Sequence, residues 1–468
     1  MGIFSLPRLF SATFHHHRRF SSKSAKRVRN VWISGLIDPN KVTECERSML
    51  YTGQIEEMHR ARRKNELRLA ELEDHSESIQ RHWNQNIQAA FTFFNRKRHN
   101  INILDSVDYN AVVESALGAF DGAIHVLCGV GGVQSQSIAV DKQIIRYQLP
   151  RLIFINNIDQ KGANPWQVLN QERSKFQHHS AAIQFPIGLE DDFKGLVDLV
   201  HLKAYYFHGS NGEKVAAKEI PEDLEASVLE KRRELIEVVS RVDDKIAEAF
   251  CNRRIIFADD LQEAVRRVTI SRKFIPVFMG GGAFKYKGLQ LLLDGVLNYL
   301  PCPVEASNYC LAQSKNGEKH SLVALAFTLK DRICQITFLR VYEGVVRKGD
   351  FITNVNTGKT FEVPQLIGLR NDELEVPPHS IEIRKDKVGV LPSSIEVRKD
   401  KMGVPYLIGV RNNKPEPFPE VQEAHAGEIV TLALPMNPQG RPYEETFADG
   451  LVRYTKASVD VSESSHKI

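Results

Sequence analysis

The chain has 468 residues, 42% of them hydrophobic and 26% charged, a composition that excludes collagen-like, low-complexity and wholly disordered proteins. At roughly 150 residues per domain, the length predicts two or three domains. No run approaches the roughly 18–20 apolar residues of a membrane-spanning helix, and six cysteines with no CxxC pair argue for reduced thiols rather than a zinc site or disulfide framework.

The net charge of +4 hides an asymmetry. Residues 1–30 carry Arg8, Arg18, Arg19, Lys23, Lys26, Arg27 and Arg29 and no acid, leaving 55 basic against 58 acidic residues elsewhere. The near-neutral bulk argues against DNA as a partner. The first 30 residues are rich in Arg, Ser and Phe, the composition of an organelle transit peptide. Arg8 and His15–His17 break any secretory apolar core, so a mitochondrial presequence is preferred over a chloroplast address or a disordered tail.

Apolar runs then recur, each ended by a turn residue or an acid: Val31–Gly35, Ile101–Asp105, Ala123–Cys128, Leu152–Ile155 and Phe274–Met279. Such near-continuous runs predict strands buried on both faces of a parallel sheet. Helical spacing lies between them at 111–119, 134–147, 165–176 and 287–299, and this alternation predicts a doubly wound α/β domain. Between 180 and 272 the rhythm changes. Tyr205–Gly212 reads as a strand entering a turn. Pro221 then opens a helix whose stripe runs through Leu224, Val228, Leu235, Val239, Val242 and Ile246. This segment is expected to be an α+β subdomain inserted before the last strand.

After Pro301 and Pro303 the pattern becomes β. Leu322–Phe327, Gln335–Tyr342 and Asp350–Ile352, with polar turns between them, predict a small β-barrel over 303–460. A local repeat interrupts it: Ser380–Val390 recurs as Ser394–Val404, and Val363–Asn371 recurs as Val404–Asn412. Two units are too few for a solenoid, so a tandem duplication within a loop or strand pair is expected, with a charged binding loop as the alternative.

Three strand ends carry possible nucleotide-binding segments, because ligands of open α/β sheets sit at the carboxyl ends of strands. Gly35–Thr43 has the Gly35 and Lys41 spacing of a phosphate loop, but Asn40 replaces its second glycine and Val42 its magnesium-binding hydroxyl; Pro39 also removes a donor. Asn156-Asn157-Ile158-Asp159 resembles the NKxD element of guanine-nucleotide-binding proteins, in which the Asp carboxylate takes the guanine N1 and N2 protons. Asn157 stands where that element has lysine. Gly282-Ala283-Phe284-Lys285 falls where such proteins place a loop near the guanine carbonyl. The order of the three, each after a strand, is far more specific than any one.

From about 29 to 455 the chain resembles the mitochondrial elongation factor G family, the translocase GTPases of organelle translation, and the plant form most closely. The resemblance rests on segments such as LYTGQIEEMHR (50–60), FDGAIHVLCGVGGVQSQSIAVDKQ (120–143), FIPVFMGGGAFKYKGLQLLLDGVLNYLP (274–301) and EVQEAHAGEIV (420–430). It implies a P-loop GTPase-like domain over 31–302 with its insert at about 180–272, then a barrel resembling the second domain of translation factors. It assigns guanine-nucleotide binding to Gly35, Asp38, Lys41, Thr43, Asp105, Asn156, Asp159, Gly282, Ala283 and Phe284. The implied partners are GTP or GDP and the mitochondrial ribosome, with the chain a monomer in the matrix.

The departures matter as much. The family reads AHIDSGKTT at the phosphate loop and DTPGHVDF at the next motif. Here the latter is Asp105-Ser106-Val107-Asp108-Tyr109, without the PGH whose glycine meets the γ-phosphate and whose histidine orients water. The switch segment RGITI aligns with Asn84-Gln85-Asn86-Ile87, so both hydroxyl ligands of Mg²⁺ are replaced. No catalytic or metal set is intact, and Mg²⁺ binding is expected to be weak or absent. Each charge-assisted contact is worth roughly 1.5–3 kcal/mol, so two or three losses weaken a nucleotide site by about 10³-fold or more. The family's further domains are expected to be absent. Three readings follow: a weakened translation GTPase, a catalytically dead truncated paralogue that still binds ribosomes, or the product of a decaying gene copy. Arg384-Lys385 and Arg398-Lys399 fit a ribosome contact or, more simply, a solvated turn.

Overall fold

The computed structural model describes residues 25–34, 89–106, 116–209, 212, 214–281, 287–306, 322–330, 335–355, 357–363, 365–368, 396–399, 405–411, 414–417, 420–432 and 444–448. The first half is built on β1 (Val28–Ser34), β2 (Ala89–Arg96), β3 (His99–Ser106), β4 (Gly122–Cys128) and β5 (Arg151–Asn156). Helices α1 (Ser135–Arg146) and α2 (Pro165–Phe176) follow β4 and β5. The chain continues through β6 (Ser180–Ala182), β7 (Gln184–Ile187), β8 (Gly195–Asp198), β9 (Lys203–His208) and β10 (Lys214–Lys218). Next come α3 (Glu222–Ser240), α4 (Asp244–Cys251) and α5 (Ala258–Ile270), then β11 (Ile275–Met279) and α6 (Leu289–Tyr299).

The main sheet has seven strands in the order β2-β3-β1-β4-β5-β11-β6. All neighbours are parallel except β2 with β3. β1, β5 and β11 are buried at every position, as strands covered on both faces must be. The α/β expectation therefore holds. The edge strand β2 was not expected, and its turn explains why. Arg96 pairs with His99 across Lys97 and Arg98, whose φ angles are 48° and 63°. A two-residue turn with both φ angles positive usually announces itself as Asn-Gly or Asp-Gly; two long basic residues give no such sign.

β7 to β10 form a separate antiparallel sheet in the order β10-β9-β8-β7. The single helical stripe expected from Pro221 to Ile246 is two helices. α3 ends at Ser240, and Asp243 caps α4 by accepting from the Ile246 N–H at 3.1 Å. Val242 lies in the turn and Ile246 belongs to the second helix. The predicted helix over 111–119 falls largely outside the described residues, which resume at Ala116–Leu117 in helical conformation.

The second half is antiparallel. It comprises β12 (Leu322–Lys330), β13 (Gln335–Arg347), β14 (Phe351–Asn354), β15 (Thr360–Glu362) and β16 (Leu366–Gly368). After these come β17 (Glu396–Lys399), β18 (Pro405–Arg411), β19 (Lys414–Pro417), β20 (Glu420–Val421), β21 (Glu423–His425), β22 (Ile429–Leu432) and β23 (Glu444–Ala448). The main path runs β15-β14-β23-β12-β13-β22-β16-β20, with β21 paired to β13; β17, β18 and β19 form a small sheet of their own. Leu339, Val341, Ile352, Leu366 and Phe447 sit in the core of the larger sheet.

The two halves share a core. Trp32, Leu104, Leu117, Phe120 and Ile144 from the first pack with Leu325, Phe327, Phe338 and Ile429 from the second. A buried polar cluster adjoins it. Arg340 on β13 donates through Nη2 to both oxygens of Asp121 at 2.9 and 3.1 Å, and through Nη1 to the Gly427 carbonyl at 2.7 Å. Asn30 on β1 donates to Asp121 at 2.7 Å and to the Gly427 carbonyl at 3.2 Å. Asn102 donates to Asn30 Oδ1 at 2.7 Å. The Tyr342 hydroxyl donates to the Gly118 carbonyl at 2.5 Å. Burial pushes the Asp121 carboxyl above its ordinary value, against the pull of Arg340.

Candidate functional site

The strand order fixes where a ligand fits. β1 lies inside the sheet, with β3 on one side and β4 on the other, so the sheet's connections reverse direction there. In doubly wound sheets that reversal opens a crevice beyond the carboxyl ends of the strands. Ser34 ends β1 level with Ser106, the last residue of β3, while Ile33 pairs with Asp105. The Asp105 backbone thus lies beside the entry to the Gly35–Thr43 segment. Gly35, Asp38, Asn40, Lys41, Val42 and Thr43 lie outside the described residues, as do Asn86, Gly282, Ala283 and Phe284.

Farther along the same edge, Asn156 ends β5 opposite Cys128 at the end of β4, and Ile155 pairs with Met279 on β11. The loops leaving β5 and β11 are joined by backbone hydrogen bonds. Ile158 N donates to the Gly280 carbonyl at 3.1 Å, and Gly280 N donates to the Ile155 carbonyl at 3.0 Å. Gly129 N donates to the Asn156 carbonyl at 2.7 Å, and Asn164 N to the Gly129 carbonyl at 2.9 Å. Glu190 closes a third side: its N–H donates to the Ile158 carbonyl at 2.9 Å, and its carboxylate accepts from Gly162 N at 2.8 Å. The 156–159 loop is therefore held by neighbouring segments before any ligand arrives, the preorganisation that a binding site needs.

Asp159 is half-buried. Its carboxylate lies so close to Gly281 that a side chain there would push it aside: a Cβ at that position would meet Oδ2 at 2.8 Å and Cγ at 2.9 Å. Gly280 is equally confined, by the Phe154 ring and the Lys287 carbonyl. The second and third sequence segments are thus brought together, because Asp159 abuts the residue that leads into 282–284. Asn156 is buried beside it, with its carbonyl held by Gly129. A carboxylate fixed at the mouth of such a crevice accepts two adjacent N–H donors, which is what guanine N1 and N2 present.

Asn157, the residue in the lysine position of the motif, is 4% exposed and left-handed at φ 64°. Asparagine tolerates this region well. Its Nδ2 lies 4.0 Å from Cys128 Sγ, so the amide turns inward to the end of β4. Sequence reasoning missed Gly281, Glu190 and the Asn157–Cys128 approach. The Gly280–Gly282 run was a signal for the first; nothing local marks the other two. Among the described residues no group of three His, Cys, Asp or Glu is placed to hold a metal ion, and no helix is long and apolar enough to cross a membrane.

Comparison with known proteins finds a family, two relatives and a solved structure. A family model described as the elongation factor Tu GTP binding domain matches residues 26–302. Elongation factor G-1, mitochondrial, of Arabidopsis thaliana is 46% identical over 453 residues, covering 94% of this chain and 53% of that protein. Elongation factor G, mitochondrial, of Anopheles gambiae is 43% identical over 380 residues, covering 78% and 50%. The chain thus spans about half the length of the curated relatives it matches. A solved structure from Thermus thermophilus superposes with a TM-score of 0.60 at 18% identity, covering 91% of this chain and 54% of that one, a likeness of fold.

Proposed function

Since the chain belongs to the elongation factor Tu GTP-binding-domain family, we propose that its α/β half binds a guanine nucleotide and that it acts in mitochondrial protein synthesis as an elongation factor G-type protein. In this reading the mitochondrial presequence lies ahead of Val28, where β1 begins, rather than reaching residue 30; the nucleotide domain extends from there to 302 with its insert at about 180–272, and 303–460 is the barrel that meets the ribosome. The observation that carries it is the Asp159 carboxylate seated against Gly281, beside Asn156. That donor–acceptor set fits guanine and rejects adenine, which offers no N–H pair on that edge.

The phosphate end is weaker. By resemblance, Gly35, Asp38, Lys41, Thr43 and Asp105 are the residues assigned to the phosphate end. Asn40 and Val42 remove a close backbone approach and a metal ligand, and Asn86 removes a second. With Val42 and Asn86 at the two hydroxyl positions, the donor set does not fit Mg²⁺. Without a histidine between Ser106 and Val107, no residue of that motif orients water. We therefore read the chain as a selective, weak guanine-nucleotide binder with impaired hydrolysis. The sequence losses favour a ribosome-binding module, or the product of a decaying gene copy, over a working translocase.

Ribosome-stimulated phosphate release at saturating GTP tests this, beside Lys41→Ala. The proposal expects release at the background rate from both. Release well above background that falls on Lys41→Ala overturns it and makes the chain a working GTPase.

A further inference from the structure

The repeated segments Val363–Asn371 (VPQLIGLRN) and Val404–Asn412 (VPYLIGVRN) agree at seven of nine positions. Their shared Leu-Ile-Gly forms a strand in both copies, but in different sheets. In the first copy it is β16, seated between β22 and β20. Leu366 lies opposite Leu432 and Val421, Ile367 opposite Thr431 and Glu420, and Gly368 opposite Val430. Leu366 and Ile367 are 0% and 2% exposed. Gly368 lies under Val421, whose Cγ1 would stand 2.5 Å from a Cβ there. The seat therefore demands two large apolar residues followed by glycine. In the second copy the same three residues, Leu407, Ile408 and Gly409, belong to β18 and pair with β17 and β19.

We infer that the two copies compete for the seat between β22 and β20, so that this half of the protein has two arrangements of one sheet. The contacts do not separate them, since both copies offer Leu-Ile-Gly to the same neighbours. The first copy, once released, carries the Leu-Ile-Gly that β18 presents to β17 and β19, so the exchange is reciprocal.

Connectivity does not separate them far either. With the first copy seated, residues 363–365 link it to β15 and residues 369–419 link it to β20. With the second seated, the links are 363–406 and 410–419. One loop lengthens by nearly four doublings and the other shortens by a little over two. Each doubling changes the population by about threefold, so these two links alone favour the first copy by about fivefold.

The test is hydrogen exchange on the full chain, read at the β22 amides of Val430–Leu432, the residues opposite the seat. Ile367→Asp puts a carboxylate at a buried position of the first copy, and Ile408→Asp does the same in the second. Ile367→Asp alone is expected to lower β22 protection by less than about tenfold, because the second copy takes the seat. Ile367→Asp with Ile408→Asp is expected to lose at least about a hundredfold more, because no intact copy remains. Ile367→Asp alone falling to the level of the double variant would overturn the inference. A second variant deletes 364–404, joining Val363 to Pro405 and leaving only the second copy. Retained β22 protection is expected; its loss would show that the copies are not interchangeable.

Discussion

Replacing Asp121 by alanine removes the carboxylate that faces Arg340 in the polar cluster between the two halves of the protein. Arg340 is 1% exposed and Asp121 5%, so the guanidinium would be left with the Gly427 carbonyl, at 2.7 Å. Breaking one side of a buried ion pair costs about 3–5 kcal/mol, because the other charge stays buried without compensation. At roughly 2–4 °C per kcal/mol, the melting temperature should fall by about 6–20 °C. Asp121→Leu with Arg340→Met removes both charges. Asn30 keeps its contact with the Gly427 carbonyl at 3.2 Å, so neither group is stranded, and the double variant should recover at least half of the loss. Calorimetric melting of the wild type, Asp121→Leu, Arg340→Met and the double variant closes the cycle, with Asp121→Ala measured beside it. A loss under about 1 kcal/mol for Asp121→Ala would refute the reasoning, since that is the worth of an exposed pair.

Gly281→Ala should weaken guanine-nucleotide binding at least tenfold while leaving the melting temperature nearly unchanged, because the new Cβ would meet the Asp159 carboxylate at 2.8–2.9 Å; isothermal titration beside a thermal melt separates the two effects. Burial opposes ionisation of Glu305, but the Cys302 N–H at 2.9 Å and the Arg266 guanidinium outweigh it and bring its carboxyl down to about 2. A lowered folded-state pKa stabilises above the ordinary 4.5 and is lost as pH falls towards 2; melts between pH 6 and pH 2.5 should therefore show a steeper acid loss for wild type than for Glu305→Gln, and parallel curves would contradict this. Residues 1–30 fused to a reporter should direct it to mitochondria, since the segment is basic, hydroxylated and acid-free; a cytosolic reporter would count against the presequence.

The parallel core was legible because its strands are apolar without interruption: Ala123–Cys128 and Leu152–Ile155 fall within β4 and β5 nearly residue for residue. β2 was hidden because Lys97 and Arg98 occupy left-handed turn positions that glycine and asparagine usually hold. The continuous stripe from Leu224 to Ile246 concealed a helix break, because Asp243 caps a new helix while the apolar spacing runs on across the turn. At the candidate site, Asn156 and Asp159 were readable as a motif after a strand. Their supports were not: Glu190 lies 31 residues beyond Asp159 and meets the loop only through the tertiary fold. The Asp121–Arg340 pair spans 219 residues, and no local pattern links two such positions.

Guanine selectivity is the claim on which the functional reading rests, and one titration addresses it: labelled GDP, ADP and xanthosine diphosphate against the wild type and Asp159→Asn. The wild type should prefer GDP to ADP by at least about a hundredfold, because a site built to accept two N–H bonds rejects a base that lacks them. Asp159→Asn should reverse the order of GDP and xanthosine diphosphate, since an amide donates where xanthine carries a carbonyl oxygen in place of the guanine amino group. Equal affinities for GDP and ADP, or an Asp159→Asn variant with the wild-type order, would contradict the assignment of this crevice to a guanine nucleotide.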